Sequence, residues 1–231
     1  MNSKITNELS NLFMDSPHLM RNNALLSMAI NGTFGVQIKP TDAYHKDIND
    51  LATIIDHAVL KKYFSTVWQP QTKKYKYSGL SIIDEVNNLK PKNVLDLGCG
   101  YNEFKGKISN LIGVDPYNTK ADIKSSILDY TNKELFDITI CLGSINFGSV
   151  DKVYSELEHA VKLTAPNGLL YFRANPGTQH TAPEAKWIEF FNWTSQFIIN
   201  SAISLSCSII DLRQEVGDRG SRYYFVLRKD K

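Results

Sequence analysis

Val94-Leu95-Asp96-Leu97-Gly98-Cys99-Gly100, followed by Leu111-Ile112-Gly113-Val114-Asp115, is the stretch from which the fold can be read. The first string is an apolar run broken only by Asp96, which reads as a buried strand ending in a glycine loop. The second is another short buried strand, closed by an acid. Gly98 and Gly100 let the backbone leave the first strand tightly and come close to a ligand. Asp115 lies 15 residues beyond Gly100. That is a short form of the spacing in nucleotide-binding βαβ units, where a carboxylate accepts hydrogen bonds from ribose hydroxyls. Glycines alone would say little. The string is specific because one acid precedes them on the strand and a second ends the next strand.

Downstream the alternation continues. A short strand is expected around Ala121-Asp122-Ile123, a longer one over Phe136 to Leu142, and a helix over Ser149 to Leu163. Gly168 to Arg173 reads as the next strand, after the Pro166-Asn167-Gly168 turn, and Pro183 to about Ile203 as a long helix. Two last strands, around Ser206 to Asp211 and Arg222 to Arg228, have no helix between them and are expected to pair as a hairpin. Apolar strands separated by helices indicate a mostly parallel α/β sheet, whose ligands bind outside the carboxyl ends of the strands at the topological switch point. Tyr101 to Asn110 is very short for a first crossover, and Gly106 weakens it as a helix, so a turn or two is expected there.

Upstream of Pro91 the pattern is helical and irregular. A first helix is expected from about Asn2 to Met14, halted by Ser16-Pro17, and a second from Leu19 to Ile30, stopped at Asn31-Gly32. Thr41-Asp42 can cap a third that runs to about Phe64, with Ile48, Leu51, Ile55, Ala58 and Val59 on one face. Ser78 or Ser81 opens a fourth, ending near Leu89.

The chain's 231 residues, set against about 150 per domain, suggest one large domain or one domain with an extension. Lys plus Arg is 26 and Asp plus Glu 24, so the net charge of +2 gives no global pull toward nucleic acid or an anionic membrane. The hydrophobic share of 42% and charged share of 22% are those of a globular domain. Cys99, Cys141 and Cys207 form no Cys-x-x-Cys pair or Cys/His cluster, so neither a disulfide framework nor a metal site is expected. The first residues lack the apolar core of a signal peptide, and no apolar run approaches the roughly 18 residues that span a membrane. The expectation is a soluble, cytoplasmic protein.

At the glycine loop the sequence resembles the class I S-adenosylmethionine-dependent methyltransferases, whose first motif is a strand ending in Asp/Glu-x-Gly-x-Gly, here Asp96, Gly98 and Gly100. Phe136 to Leu142 is similar to the family's fourth-strand motif, and Ala165-Pro166-Asn167-Gly168-Leu169-Leu170 to its Pro-x-Gly entry to the fifth. The resemblance covers about Tyr77 to Lys231. It implies a Rossmann-like sheet, mostly parallel with an antiparallel strand pair at the C-terminal end, over residues 77–231. Residues 1–76 are then a helical extension, a candidate lid or substrate cap. It implies S-adenosyl-L-methionine as cofactor. Asp96, Gly98, Cys99 and Gly100 would hold the methionine end, with Asp96 near its ammonium. Asp115 and Pro116 would lie at the ribose, Leu128 and Asp129 at the adenine, and Leu142 at the end of the fourth strand. Asn102 stands where the family often has a third glycine, and asparagine tolerates left-handed backbone nearly as well. Asn102 to Lys107 and Leu142 to Gly148 resemble bacteriophage-type methyltransferase-like sequences.

A dehydrogenase is the nearest competitor on this fold. Its fingerprint wants a third glycine at Glu103, and Asp96 would repel a pyrophosphate at short range. A cofactor carrying positive charge and no phosphate suits the acid better.

The methyl acceptor is less legible. The place where amino-methylating DNA enzymes carry a Pro-Pro pair reads Gly143-Ser144-Ile145-Asn146-Phe147, which weighs against exocyclic base methylation and leaves a small molecule as the first expectation. Candidate acceptor-side residues are Ser144 and Asn146, then Arg173 and Asn175. Arg173 could hold a carboxylate or phosphate, or form a structural salt bridge. His180 is a possible base, or a loop histidine without a role. Trp187, Phe190, Phe191 and Trp193 could stack on a base, though their helical spacing favours core packing. Lys73, Lys74 and Lys76 with Tyr75 and Tyr77 form a basic-aromatic cluster that could meet an anionic substrate or RNA, or be a solvated loop. A nucleic-acid methyltransferase and a non-catalytic cofactor-binding scaffold or partner protein are the alternatives. Sequence alone leaves the oligomeric state open.

Overall fold

A computed structural model describes residues 2–44, 46–68, 76–175, 183–217 and 220–231. The described residues fall into two compact units, one holding those up to Trp68 together with 183–189, the other those of 76–175 and 190–231.

The larger unit is built on a six-stranded sheet: β1 (Val94–Leu97), β2 (Leu111–Val114), β3 (Phe136–Leu142), β4 (Thr164–Ala174), β5 (Cys207–Gly217) and β6 (Gly220–Lys229). Their order is β2-β1-β3-β4-β6-β5. The first four are parallel, and β6 runs antiparallel to both β4 and β5. Mostly parallel with an antiparallel pair at the end, this is the sheet expected from the sequence. In register, Leu95 lies between Ile112 and Thr139. The central strands are apolar on both faces because helices cover both. Leu95, Leu97, Cys141, Leu170, Phe172, Phe225 and Leu227 pack with Val153, Leu157 and Ala160 of α5 (Val150–Leu163) and with Ile198 and Ala202 of α6 (Ser195–Ser204). On the opposite face Val94, Ile138, Ile140, Tyr171 and Val226 pack with Ile82 and with Val86 of α4 (Ile83–Asn88). Strand side chains alternate with period two, so Asp96 shares a face with Val94 and is carried at the carboxyl end of β1.

The first crossover contains no helix. Asn102, Gly106 and Asn110 all take positive φ (54°, 76° and 58°), which an α-helix cannot accommodate, and a bridge joins Lys105 to Ile108. The strand expected around Ala121 to Ile123 is reduced to one bridge between Ile123 and Val114. Asp122 turns its carboxylate back onto the Gly113 N–H at 2.8 Å, taking a donor that a longer ladder would use.

The long helix expected from Pro183 is corrected. A short 3₁₀ turn spans Pro183–Ala185, and the helix proper is α6. Between them Phe190 bridges Phe147, the Phe191 N–H donates to the Asn146 carbonyl at 2.8 Å, and the Trp193 indole donates to the Ile145 carbonyl at 3.1 Å. The segment is thus held extended beside the exit of β3, and α6 begins only where the Thr194 side chain can accept from the Phe197 N–H.

The smaller unit is helical: α1 (Ser3–Asp15), α2 (Asn23–Phe34) and α3 (Ile48–Lys62), the last continued by a π-helical turn over Tyr63–Val67. Ile5, Leu9, Ile30, Leu51 and Ile55 form its core. The second helix runs through Gly32 and stops instead at Gly35, whose φ of 65° suits glycine. The third is capped by Asp47, which accepts from the Asn49 and Asp50 N–H groups, rather than by Thr41-Asp42. Asn2 both caps α1 and donates to Asp56 at 2.7 Å and to the Trp187 carbonyl at 2.8 Å. Among the described residues no helix is long and apolar enough to cross a membrane.

Candidate functional site

Strand order reverses between β1 and β3, which puts the switch point at the loops after Leu97 and Leu142. Gly98 and Gly100 take φ of 73° and 52°, and a Cβ at Gly98 would overlap the Ser144 side chain across the crevice. The two loops therefore approach as closely as a missing side chain allows. The Gly98 and Cys99 N–H groups donate to the Val114 carbonyl at 2.7 and 3.1 Å, folding the loop over the end of β2.

Asp115 braces this loop. One carboxylate oxygen accepts from the Gly100 N–H at 3.0 Å, the other from the Tyr117 and Asn118 N–H groups at 2.8 Å each. Asn102, left-handed as the sequence suggested, donates to the Lys120 carbonyl at 3.0 Å, while its Oδ1 is buried with no hydrogen-bond partner among the described residues. Asp122 joins Gly113, Asn102 and Lys105. Burial works to raise its carboxyl pKa, but hydrogen bonds from Gly113, Lys105 and Asn102 hold it below the ordinary value. This role of Asp122 was not read from the sequence, where it looked like one residue of a strand.

Asp96 is only 3% exposed. Burial, and then the Asp115 carboxylate, push its pKa up to about 8, against the opposing pull of the Arg173 guanidinium. A buried carboxyl that resists ionisation until a cation arrives is suited to an ammonium and unsuited to a phosphate. Cys99 lies beside it, its thiol raised by burial and by the carboxylates of Asp96, Asp115 and Asp122, and so poorly suited to nucleophilic work.

On the other side of the crevice stand the ends of β3 and β4. Arg173, 8% exposed, donates from Nη2 to the Leu142 carbonyl at 2.9 Å. Asn146, 1% exposed, accepts the Asn175 N–H on its Oδ1 at 3.0 Å. Since that partner can only donate, the amide orientation of Asn146 is fixed and its Nδ2 faces the other way, buried without an acceptor among the described residues. Among the described residues the Asn175 Oδ1 is likewise buried without a donor. Each such orphan costs about 1–3 kcal/mol, which a bound partner would return. Phe147 and Phe190, half-buried, meet edge-on with ring centroids 5.4 Å apart. Their pairing spans 43 positions and left no mark in the sequence.

Of the remaining sequence candidates, Pro116 follows Asp115 at a half-buried turn, and Leu142 ends β3 half-buried. Leu128 and Asp129 sit exposed on the loop after Ile123, where Asp129 accepts from the Ser126 hydroxyl at 2.6 Å. Trp193 is core, and Trp187 belongs to the smaller unit against Phe34. Tyr77 lies against Lys76 and Arg213. His180, Lys73, Lys74 and Tyr75 lie outside the described residues. Among the described residues no group of three or more His, Cys, Asp and Glu side chains is placed to hold a metal ion.

No family model matches the sequence, and no curated protein matches it significantly. Solved structures do match. A 1,6-didemethyltoxoflavin-N1-methyltransferase from Burkholderia thailandensis, with bound 1,6-didemethyltoxoflavin and S-adenosylhomocysteine, superposes with a TM-score of 0.61 at 13% identity, covering 79% of this chain and 90% of that one. The N-methyltransferase NodS from Bradyrhizobium japonicum, in complex with S-adenosyl-L-homocysteine, gives 0.58 at 13% identity, over 76% and 98%. Magnesium protoporphyrin IX methyltransferase from Synechocystis, with the same product bound, gives 0.57 at 12% identity, over 76% and 100%. The chain thus has the Rossmann-like fold of the class I methyltransferases. At this identity the likeness is one of fold.

Proposed function

We propose that this protein is an S-adenosyl-L-methionine-dependent methyltransferase that acts on a small-molecule acceptor. The observation that carries the reading is Asp96. A carboxyl buried at the switch point beside Asp115 is held protonated on its own and ionises in favour of a cationic ligand, whereas a pyrophosphate would push its pKa higher still. The residues fit the cofactor. Asp96 would take its ammonium. The Gly98-Cys99-Gly100 loop would hold the methionine end, Asp115 and Pro116 would meet the ribose, and Leu128 and Asp129 would border the adenine, with Leu142 closing the far side. When bound, S-adenosyl-L-methionine supplies an electrophilic methyl group on a sulfonium.

The protein's part is then to hold and align, since an in-line displacement gains most from proximity. Asn146 and Arg173 are assigned to the acceptor side. No residue is assigned as general base, His180 remaining the candidate named from sequence. A small-molecule acceptor is supported by the likeness to a 1,6-didemethyltoxoflavin-N1-methyltransferase and to a magnesium protoporphyrin IX methyltransferase. We assign residues 1–76 the part of a substrate-selecting cap on the 77–231 core, and a reducing, cytoplasmic setting, supported by the free Cys141 and Cys207 thiols. The bacteriophage-type likeness stays with two loop strings and adds no substrate.

Titration calorimetry with S-adenosylmethionine and S-adenosylhomocysteine tests the cofactor. Binding in the micromolar range is expected, and absence of binding by the wild-type protein would sink the proposal. A labelled-methyl screen over metabolites, RNA and DNA then tests transfer; intact cofactor binding with a silent screen favours a binding protein. Steep salt dependence of acceptor binding would turn the reading toward nucleic acid.

A further inference from the structure

Among the described residues, the acceptor side of the crevice includes a buried amide donor and a buried amide acceptor that are left unsatisfied. The Asn146 Nδ2 has no acceptor and the Asn175 Oδ1 no donor, and the hydrogen bond from the Asn175 backbone N–H to the Asn146 Oδ1 ties the Asn146 side chain to the residue that carries the second orphan. This decides between ligand classes. A carboxylate or phosphate would satisfy the Asn146 amide but set its lone pairs against the Asn175 oxygen. An ammonium would satisfy Asn175 and repel the Asn146 amide hydrogens. A group that presents a carbonyl next to an N–H satisfies both, as a lactam edge does. Flanking residues add a shape. Phe147 follows Asn146 directly and pairs with Phe190, while the Phe191 N–H is tied to the Asn146 carbonyl. Both rings are half-buried, and such a pair suits the faces and edges of a flat ring. Arg173, whose charge lies near Asp96, favours a carbonyl oxygen carrying partial negative charge.

We propose that the acceptor is a planar heterocycle with a lactam edge, read by Asn146 and Asn175 beside the Phe147–Phe190 pair. The proposal rests on the methyltransferase reading only for calling this ligand the acceptor; the recognition site itself is independent of it. The same edge occurs on a free heterocycle and on uracil within a single-stranded RNA.

The test uses the full-length protein, with and without S-adenosylhomocysteine, and calorimetry or ligand-observed NMR with three probes: 4-quinazolinone, its N3-methyl derivative and naphthalene. The wild-type protein should bind 4-quinazolinone at least tenfold more tightly than either control. Asn146→Asp keeps the oxygen that accepts from Asn175 but removes the donor. It should lose at least tenfold in quinazolinone affinity while its S-adenosylhomocysteine affinity stays within twofold. Phe147→Leu should weaken quinazolinone and naphthalene alike. A dodecamer of uridylate distinguishes the source. Preference for the free probe, insensitive to salt, assigns a small molecule, and preference for the oligomer with steep salt dependence assigns a base in RNA. Equal binding of the three probes, no binding of quinazolinone or oligomer, or unchanged binding by Asn146→Asp overturns the proposal. If Asn146→Asp does not fold, probe discrimination by the wild type decides. Failure of S-adenosylhomocysteine to bind, with the probe pattern intact, removes the methyltransferase reading and leaves the lactam site standing.

Discussion

The Asp115 carboxylate and the Gly100 N–H are hydrogen-bonded at 3.0 Å, so the acid that ends β2 also fixes the loop that ends β1. With its other oxygen Asp115 holds the Tyr117 and Asn118 amides. A carboxylate oxygen has two lone-pair directions, so the oxygen bonded to Gly100 keeps one free for a ribose hydroxyl.

Asp115→Ala leaves three backbone donors without their acceptor at a largely buried site. The expected cost is about 1–3 kcal/mol in stability and at least about tenfold in affinity for S-adenosylhomocysteine. Asp115→Asn keeps one accepting oxygen and should fall between. Urea denaturation and calorimetry on the same samples check both. A variant that keeps wild-type affinity removes Asp115 from the cofactor site.

Asp96 gives a pH dependence with a defined sign. Its folded-state pKa of about 8 lies above the ordinary 3.8, so the folded protein holds this proton more tightly than the unfolded chain does. The stability it contributes is fully present below the unfolded value and is lost as pH rises toward 8. Asp96→Asn should therefore be more stable than wild type at pH 8, by more than about 1 kcal/mol, with the gap closing toward pH 4. Binding of a cationic cofactor runs the other way. It needs the ionised carboxyl, so affinity should rise about tenfold per pH unit between 6 and 7, with release of close to one proton. Calorimetry in buffers of different ionisation enthalpy measures that proton directly. A flat profile would separate Asp96 from the ammonium.

Gly98 is where the two halves of the crevice touch. An alanine there meets a φ of 73° and the Ser144 side chain together. Gly98→Ala should cost about 2–4 kcal/mol and abolish cofactor binding. Ser144→Gly removes the obstructing Cβ and should return part of the stability in the double variant, leaving the backbone strain. Equal stability of single and double variants would show that Ser144 is not what Gly98 makes room for.

The contrast between what could and could not be read in the sequence follows from range. The β1–loop–β2 string was legible because its signals are local: apolar runs, two glycines and two acids at fixed offsets. The hairpin at the end was legible for the same reason. The 183–203 segment was misread because Trp187, Phe190, Phe191 and Trp193 mimic helical spacing, while contacts with Ile145, Asn146 and Phe147, more than 40 positions away, hold part of it extended. Likewise the orphaned amide of Asn146 exists only because Asn175 takes the other half of the side chain. Composition carries no trace of such pairings.

Glu215 tests how the chain enters the sheet unit. It lies on β5, 4% exposed, and accepts from the Tyr77 N–H at 2.8 Å and from the Ser78 hydroxyl at 2.9 Å. Those two residues begin the segment that leads into α4, so one buried carboxylate pins the start of the unit to its far edge strand. Glu215→Ala leaves the fully buried Ser78 hydroxyl and the Tyr77 amide without acceptors and opens a cavity; a loss of about 2–4 kcal/mol is expected. Glu215→Gln retains one oxygen and the side-chain volume and should lose roughly half as much. Neither change touches the crevice, so S-adenosylhomocysteine affinity measured well below the unfolding transition should stay within about twofold of wild type. Hydrogen exchange at the Tyr77 and Ser78 amides locates the effect. Faster exchange there, with β1 and β3 still protected, is expected if Glu215 is a local clamp. Uniform loss of protection across the sheet would instead make it part of the global core.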